Sequence, residues 1–355
     1  MKKLFALAAV VALALTSCVT TTEIPDPAGE ISFEAYNFKP QSRAEVYGPI
    51  EGSTYPVDEH FGVYALFNEN DHDTYMNDVE IHLDTTDNNW RNPDAKYYWP
   101  KGGTLRFWCY SPYRFTTNNA THTAPTAYDY EKGLTFNGFT TNNNLTTQID
   151  LMVTNALGDS RPAAVEAVFH HTLAQVGFTA RLNTSATNLG EEVTITIDKV
   201  QMSNVKSTGD YSSTDGTYAN GAWTNVNGNV ITFDFVTEGK PQTVTTASQP
   251  ILPLTGEEGN YTLVEGVKNA LVIPQDGTKS GDADVDYVKV LIDYTTTYKS
   301  GAVDKVQGVE YIIPAAWEKG KKYTYAIIFG VGNEIIFHPS VTDWAPTEGG
   351  SITVG

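Results

Sequence analysis

Cysteine is almost missing from this chain: 355 residues contain only Cys18 and Cys109. A framework of disulfides is therefore excluded, and any fold must be held by its core. Basic residues are also scarce, with 23 Lys and Arg against 42 Asp and Glu and a formal charge of −19. A surface that acidic repels phosphate backbones, so nucleic acid is excluded as a partner. No long apolar run exists. The run Leu4–Leu15 has 12 residues, too few for a bilayer, which needs about 20. Catalytic signatures are missing too: there is no His-Glu-x-x-His, no phosphate-binding glycine loop and no Gly-x-Ser-x-Gly. Neither catalytic residues nor a cofactor are expected, and the chain reads as a non-enzyme. Helical periodicity is nearly absent.

What is present begins with the leader. Lys2 and Lys3 precede the apolar run, which ends in Leu15-Thr16-Ser17-Cys18. A basic segment, a short apolar stretch and small residues before a cut describe a secretory signal. The four residues ending at Cys18 resemble the lipobox of bacterial lipoproteins; the alternative is an ordinary signal with an incidental cysteine. The lipobox reading makes residues 1–17 a signal peptide, Cys18 the lipidated first residue and 18–30, with Pro25 and Pro27, a spacer. Several acyl chains, at about 0.8 kcal/mol per buried methylene, anchor a protein durably. The expected location is the outer membrane, facing outward.

Alternation with period two dominates the rest. Val193, Ile195 and Ile197 share a face, as do Ala174, Val176, Phe178, Ala180 and Leu182. The sets Val288–Tyr294 and Tyr323–Phe329 repeat the pattern. Further strands are predicted over Ile31–Phe38, Phe61–Phe67, Thr104–Tyr110, Gln148–Val153, Val230–Phe235, Tyr261–Pro274 and Val309–Pro314. Abundant Thr, Tyr and Val suit pleated, half-buried surfaces. Many short strands between turn residues predict an all-β chain of antiparallel sandwiches, and 31–160 and 161–355 are each long enough for one. The boundary is placed at Asn155–Pro162. Thr116–Thr147, interrupted by a short apolar segment near Leu134–Phe139, and Ser207–Asn229 read as long polar connections. Cys109, in an apolar run, reads as a buried thiol.

Several residue sets invite a chemical reading, and each has a plainer one. Ser203 and Lys206 have the spacing of serine acyltransferases, which place it at a helix start, whereas here it follows a strand. His170 and His171 are adjacent, so in a strand they point oppositely, one packed and one exposed. Asp282, Asp284 and Asp286 are spaced like early calcium-loop ligands, but Tyr287 stands where the EF-hand needs glycine; a looser calcium-stabilised turn is the alternative, and the Asn68–Asp73 loop is a weaker case. No metal site is assigned. Trp90, Tyr97, Tyr98 and Trp99 suit either a sugar-stacking platform or a core, and the core reading is preferred.

Taken in order, several stretches resemble the fimbrillin family, the lipoprotein pilins of anaerobic Gram-negative bacteria. After the lipobox come Ile31-Ser32-Phe33-Glu34-Ala35 and Ser42-Arg43-Ala44. Next are Tyr97-Tyr98-Trp99-Pro100, Leu105–Pro112, Asp150-Leu151-Met152 and Val168–Val176. The C-terminal stretches are Gly320–Tyr325, Ile336–Pro339 and Val341-Thr342-Asp343-Trp344.

The resemblance implies two consecutive antiparallel Greek-key-type β-sandwiches, transthyretin-like, and a structural, adhesive fimbrium subunit. It implies cleavage between Arg43 and Ala44, loss of the lipidated leader with the first strand, and filling of the vacated groove by a strand from the next subunit. Partners would then be other pilin subunits, the outer membrane before processing, and host glycans or proteins. Arg43 read alone is equally a solvated loop arginine. Ile352 and Val354, on one face of Ser351–Val354 after Gly349-Gly350, suit either a donor strand or a fixed edge strand. The rival reading of the whole chain is a monomeric, glycan-binding surface lipoprotein.

Overall fold

The computed structural model describes residues 29–37, 55–68, 71–114, 116–117, 120–121, 125–158, 164–183, 193–213, 221–236, 239–245, 248–251, 254–255, 262–263, 269–277, 287–330 and 334–344. Every regular element among them is a strand. The first five are β1 (Phe33–Asn37), β2 (Phe61–Phe67), β3 (Thr74–Asp84), β4 (Asn89–Arg91) and β5 (Leu105–Ser111). A small ribbon, β6 (Thr116–Thr117) with β7 (Ala120–Thr121), precedes β8 (Ala127–Asp129) and β9 (Gly133–Thr140). Then come β10 (Met152–Gly158), β11 (Val165–His171), β12 (Ala174–Leu182), β13 (Val193–Ser212) and β14 (Ala222–Val236). Five short strands follow: β15 (Gln242–Val244), β16 (Gln249–Ile251), β17 (Leu254–Thr255), β18 (Thr262–Leu263) and β19 (Ala270–Val272). The last four are β20 (Lys289–Tyr298), β21 (Val303–Ile312), β22 (Lys321–Phe329) and β23 (Ile335–Asp343).

The N-terminal sheet is closed into a barrel in the order β1-β11-β10-β5-β2-β3-β4, with β4 returning to β1. Closure removes the edges that an open sheet would expose. The inward residues of β2 and β5, Phe61, Val63, Ala65, Phe107 and Cys109, form the barrel core with Phe33, Trp90, Trp99 and Phe169. The expected core reading agrees with the burial of Trp90 and Trp99, whereas Tyr97 is half-buried and Tyr98 exposed, and Cys109 is a buried free thiol. Burial pushes that thiol well above its ordinary pKa.

The second unit is a sandwich. One sheet holds β16 and β19 on β12, then β22 and β23. The other holds β21, β20 and β13, with β14 and β15 on the far side of β13. Phe178, Ile197, Val200, Phe235, Val290, Tyr294, Tyr325 and Ile327 fill the space between. The core is built by the alternation read in the sequence.

A third core joins the two. The outward residues Tyr64, Leu66, Trp108 and Tyr110 of β2 and β5 meet Leu134, Phe136, Phe139, Tyr211, Leu271 and Trp344. β2 and β5 are therefore apolar on both faces, which explains their continuous hydrophobic runs. The platform on the barrel consists of β8, β9 and the distal half of β13. Gly133 opens β9 with φ of 74°, and a Cβ there would lie 2.7 Å from the Trp108 ring.

Four details of the strand pairing add to the two-sandwich picture. The pairing is not wholly antiparallel, since β1 runs parallel to β11 and β12 parallel to β22. Sheet membership does not change at residue 160: β11 belongs to the barrel, and β9 to the sheet of β13. Ser207–Asn229 is not a simple loop, because β13 and β14 pair along it. Its buried face carries Ser207, Gly209 and Tyr211, and a Cβ at Gly209 would sit 3.2 Å from Trp223. Small residues under a large ring hide the alternation. Within the Thr/Asn-rich stretch 116–147, the apolar segment near Leu134–Phe139 lies in β9, with Leu134, Phe136 and Phe139 buried.

Candidate functional site

β1 is the strand that closes the barrel. Ile31, Phe33 and Ala35 point inward and are buried, while Glu34 and Tyr36 point out. Phe33 meets the edges of Phe61 and Phe107, at centroid distances of 5.8 and 5.5 Å. Its two flanks differ. Along β11, five residues pair in parallel register, from Phe33↔Val165 to Asn37↔Phe169. Along β4, one pair is made, Phe33↔Trp90. Just before β1, Ile31 N donates to Tyr97 O at 2.8 Å and Trp99 N to Gly29 O at 3.1 Å. Glu30 lies 3.3 Å from Lys96 and 3.7 Å from Arg91, which also holds Asp84 and Asp87.

β1 ends at Asn37, and the next described residue is Tyr55, which is fully buried. Tyr55 stacks on Phe169 at 4.9 Å, meets Trp90 edge-on at 5.2 Å and shares a 2.7 Å hydrogen bond with Ser111 Oγ. Both ends of the segment carrying Arg43 and Ala44 are thus fixed in the barrel wall. Those two residues lie outside the described residues, as do Cys18, Ile352, Val354 and the Asp282, Asp284, Asp286 set.

On the outer face, Glu34 stands in register with Glu166 of β11. Both are exposed. The Tyr36 hydroxyl donates to Glu34, and this bond, then burial and the charges of Glu34 and Glu166, raises its pKa.

Where barrel meets sandwich, a polar junction is buried. His171 Nδ1 lies 3.0 Å from Asp150 Oδ2, and Trp344 stacks on the imidazole at 3.9 Å. Thr172 Oγ1 donates to Leu151 O at 2.7 Å, and Trp223 Nε1 to Thr172 O at 2.6 Å. Glu59 is buried nearby. Burial, then the negative charges of Asp150 and Asp58, raises its carboxyl to about 7. His171 is packed as expected, but His170 is half-buried rather than exposed. Burial, then the charges of His171 and Lys319, lowers His170 to about 4. The junction thus assembles three stretches singled out in the sequence: Asp150-Leu151, His170-His171 and Asp343-Trp344. Sequence reading missed Tyr55, Glu59 and Glu166, whose roles depend on pairings between distant strands.

A further concavity of about 550 Å³ lies on the sandwich, lined by Trp223, Gln275, Asp276, Trp317, Glu318 and Lys319. Trp317 is buried and its Nε1 bonds Tyr325 Oη at 3.1 Å.

The fold is shared with a solved bacterial protein. A fimbrial protein from Bacteroides vulgatus ATCC 8482 superposes with a TM-score of 0.57 at 17% identity, covering 88% of this chain and 99% of that one. A candidate cell adhesion protein from Bacteroides uniformis ATCC 8492 gives 0.43 at 17% identity, covering 89% and 98%. A fimbrial protein from Bacteroides ovatus ATCC 8483 gives 0.35 at 13% identity, covering 86% and 49%. A search of curated proteins found no match in sequence. The fimbrillin-like family model matches residues 43–344. The chain belongs to the fimbrillin-like family and is a structural protein, not an enzyme.

Proposed function

We propose that this chain is a subunit of a surface fimbrium, exported as a lipoprotein on Cys18 and activated by cleavage after Arg43. Family membership and the fold it shares with a fimbrial protein support the fimbrial role. The observation that carries the activation step is the uneven hold on β1: five register pairs along β11, against one with β4 and the Glu30–Tyr98 bridge just before the strand. Cutting after Arg43 separates residues 18–43, including β1, from the remaining chain. Departure of β1 then uncovers the backbone groups of β11 and empties the places of Ile31, Phe33 and Ala35. An apolar hole the size of one large side chain costs about 2–5 kcal/mol, so a replacement strand gains both hydrogen bonds and burial. That is β-strand addition, with the main chain supplying affinity and alternate side chains supplying register. Ile352 and Val354, two positions apart, match the spacing of successive pockets.

The test is the N-terminus of protein recovered from the cell surface together with two variants. A start at Ala44, with Arg43→Ala held as a lipidated monomer and Cys18→Ala lost from the membrane, fits the account. An acylated Cys18 on every molecule fits the monomeric glycan-binding reading instead.

A further inference from the structure

The groove beneath β1 has a charged lip, and β1 is poorly matched to it. In the parallel register, Glu34 of β1 is directly beside Glu166 of β11. Adjacent strands are about 4.8 Å apart, and like charges side by side across a strand pair weaken the pairing. The basic residues described at this edge, Arg91 and Lys96, are engaged elsewhere, with Glu30, Asp84 and Asp87. Tyr36 gives Glu34 a hydrogen bond but no charge.

We infer that Glu166 selects the strand that occupies this groove, disfavouring β1 through Glu34 and favouring the uncharged segment Ser351–Val354 of a second copy. The inference rests on the strand-exchange reading above. The sequence around Ile352 and Val354 fits it. With those two side chains inward, Ser351 and Thr353 point outward. Thr353 replaces Glu34 when Ile352 and Val354 take the places of Phe33 and Ala35, whichever way the incoming strand runs. A slip by two residues brings Ser351 there instead. In each register a neutral side chain faces Glu166, and the repulsion present with β1 is gone.

A peptide of residues Pro346–Gly355, amidated at its end and fluorescently labelled, tests this on the full chain cut after Arg43. Thr353→Glu should weaken its binding about two- to fivefold, as expected for one exposed like-charge pair, and Thr353→Lys should strengthen it by a similar factor. Both differences should vanish on a Glu166→Gln chain and at high salt. Peptides that keep the same ranking and spread of affinities on the Glu166→Gln chain as on the wild type overturn the selector role while leaving strand exchange standing. A cut chain that binds none of the peptides removes the strand-exchange reading and this inference with it. On the uncut chain, Glu34→Gln should slow hydrogen exchange of residues 165–169 by the same factor. An unchanged rate there overturns the repulsion itself.

Discussion

His171 lies flat against Trp344, with ring centroids 3.9 Å apart and planes within 5°, while its Nδ1 meets the buried carboxylate of Asp150. The stack ties the last barrel strand to the end of β23, more than 170 residues later in the chain. Trp344 N also donates to Gly320 O, and Gly320 N to Leu173 O, at 2.9 and 2.8 Å. Truncating Trp344 to Ala should therefore cost about 3–5 kcal/mol, as for a buried aromatic. Asp150→Ala should cost about 1–3 kcal/mol by stranding a buried hydrogen-bond partner. Urea unfolding followed by tryptophan fluorescence measures both, and separated transitions for barrel and sandwich in Trp344→Ala would show that the stack couples them.

Glu59 makes a pH prediction. Its folded pKa of about 7 lies above the ordinary 4.5, so the folded chain holds a proton that the unfolded chain has lost between those values. Stability from this group is full below about 4.5 and is lost as pH rises through about 7. Glu59→Gln should be nearly neutral at pH 5 and stabilise by up to about 3 kcal/mol at pH 8. His170 acts in the opposite sense. Its folded pKa is lowered to about 4, so its contribution is present above the ordinary 6.5 and is lost as pH falls through about 4. The two trends offset one another in the wild type between about 4.5 and 6.5. Glu59→Gln should expose the acid-side loss, readable in denaturant midpoints across that range.

Phe33 anchors β1 in the barrel core, edge-on to Phe61 and Phe107. Phe33→Ala should destabilise the barrel by about 3–5 kcal/mol. Hydrogen exchange should rise along Val165–Phe169, the partners of β1, before it rises in the sandwich. Uniform acceleration across both units would mean that β1 has no separate stability.

Gly133 places the platform against the barrel with a left-handed backbone and no room for a side chain. Gly133→Ala should cost about 1–3 kcal/mol, combining backbone strain with displacement of the Trp108 ring. Near-ultraviolet circular dichroism of Trp108 reports the shift.

Much of the fold was legible because its strands obey period two: β2, β12, β20 and β22 lie where alternation or apolar runs placed them. Within the expected strand Tyr261–Pro274, the described residues hold β18 and β19. The distal half of β13 was illegible because its inward positions hold Ser207 and Gly209, small residues demanded by Trp223. Barrel closure could not be read either. It depends on the pairing of β1 with β11 across more than a hundred residues, which no local pattern encodes. The junction was legible only as separate stretches, and Glu59 and Glu166 acquire meaning only from their neighbours in space.

The central claim is that β1 is a removable closure. Native mass spectrometry of the purified chain, before and after an arginine-specific protease, tests it most directly. The expected product is a chain beginning at Ala44 that has shed residues 18–43 and grows into detergent-resistant oligomers, with Ile352→Asp/Val354→Asp shedding the fragment but staying monomeric. A chain cut after Arg43 that keeps the fragment bound on dilution, and forms no oligomer, contradicts it.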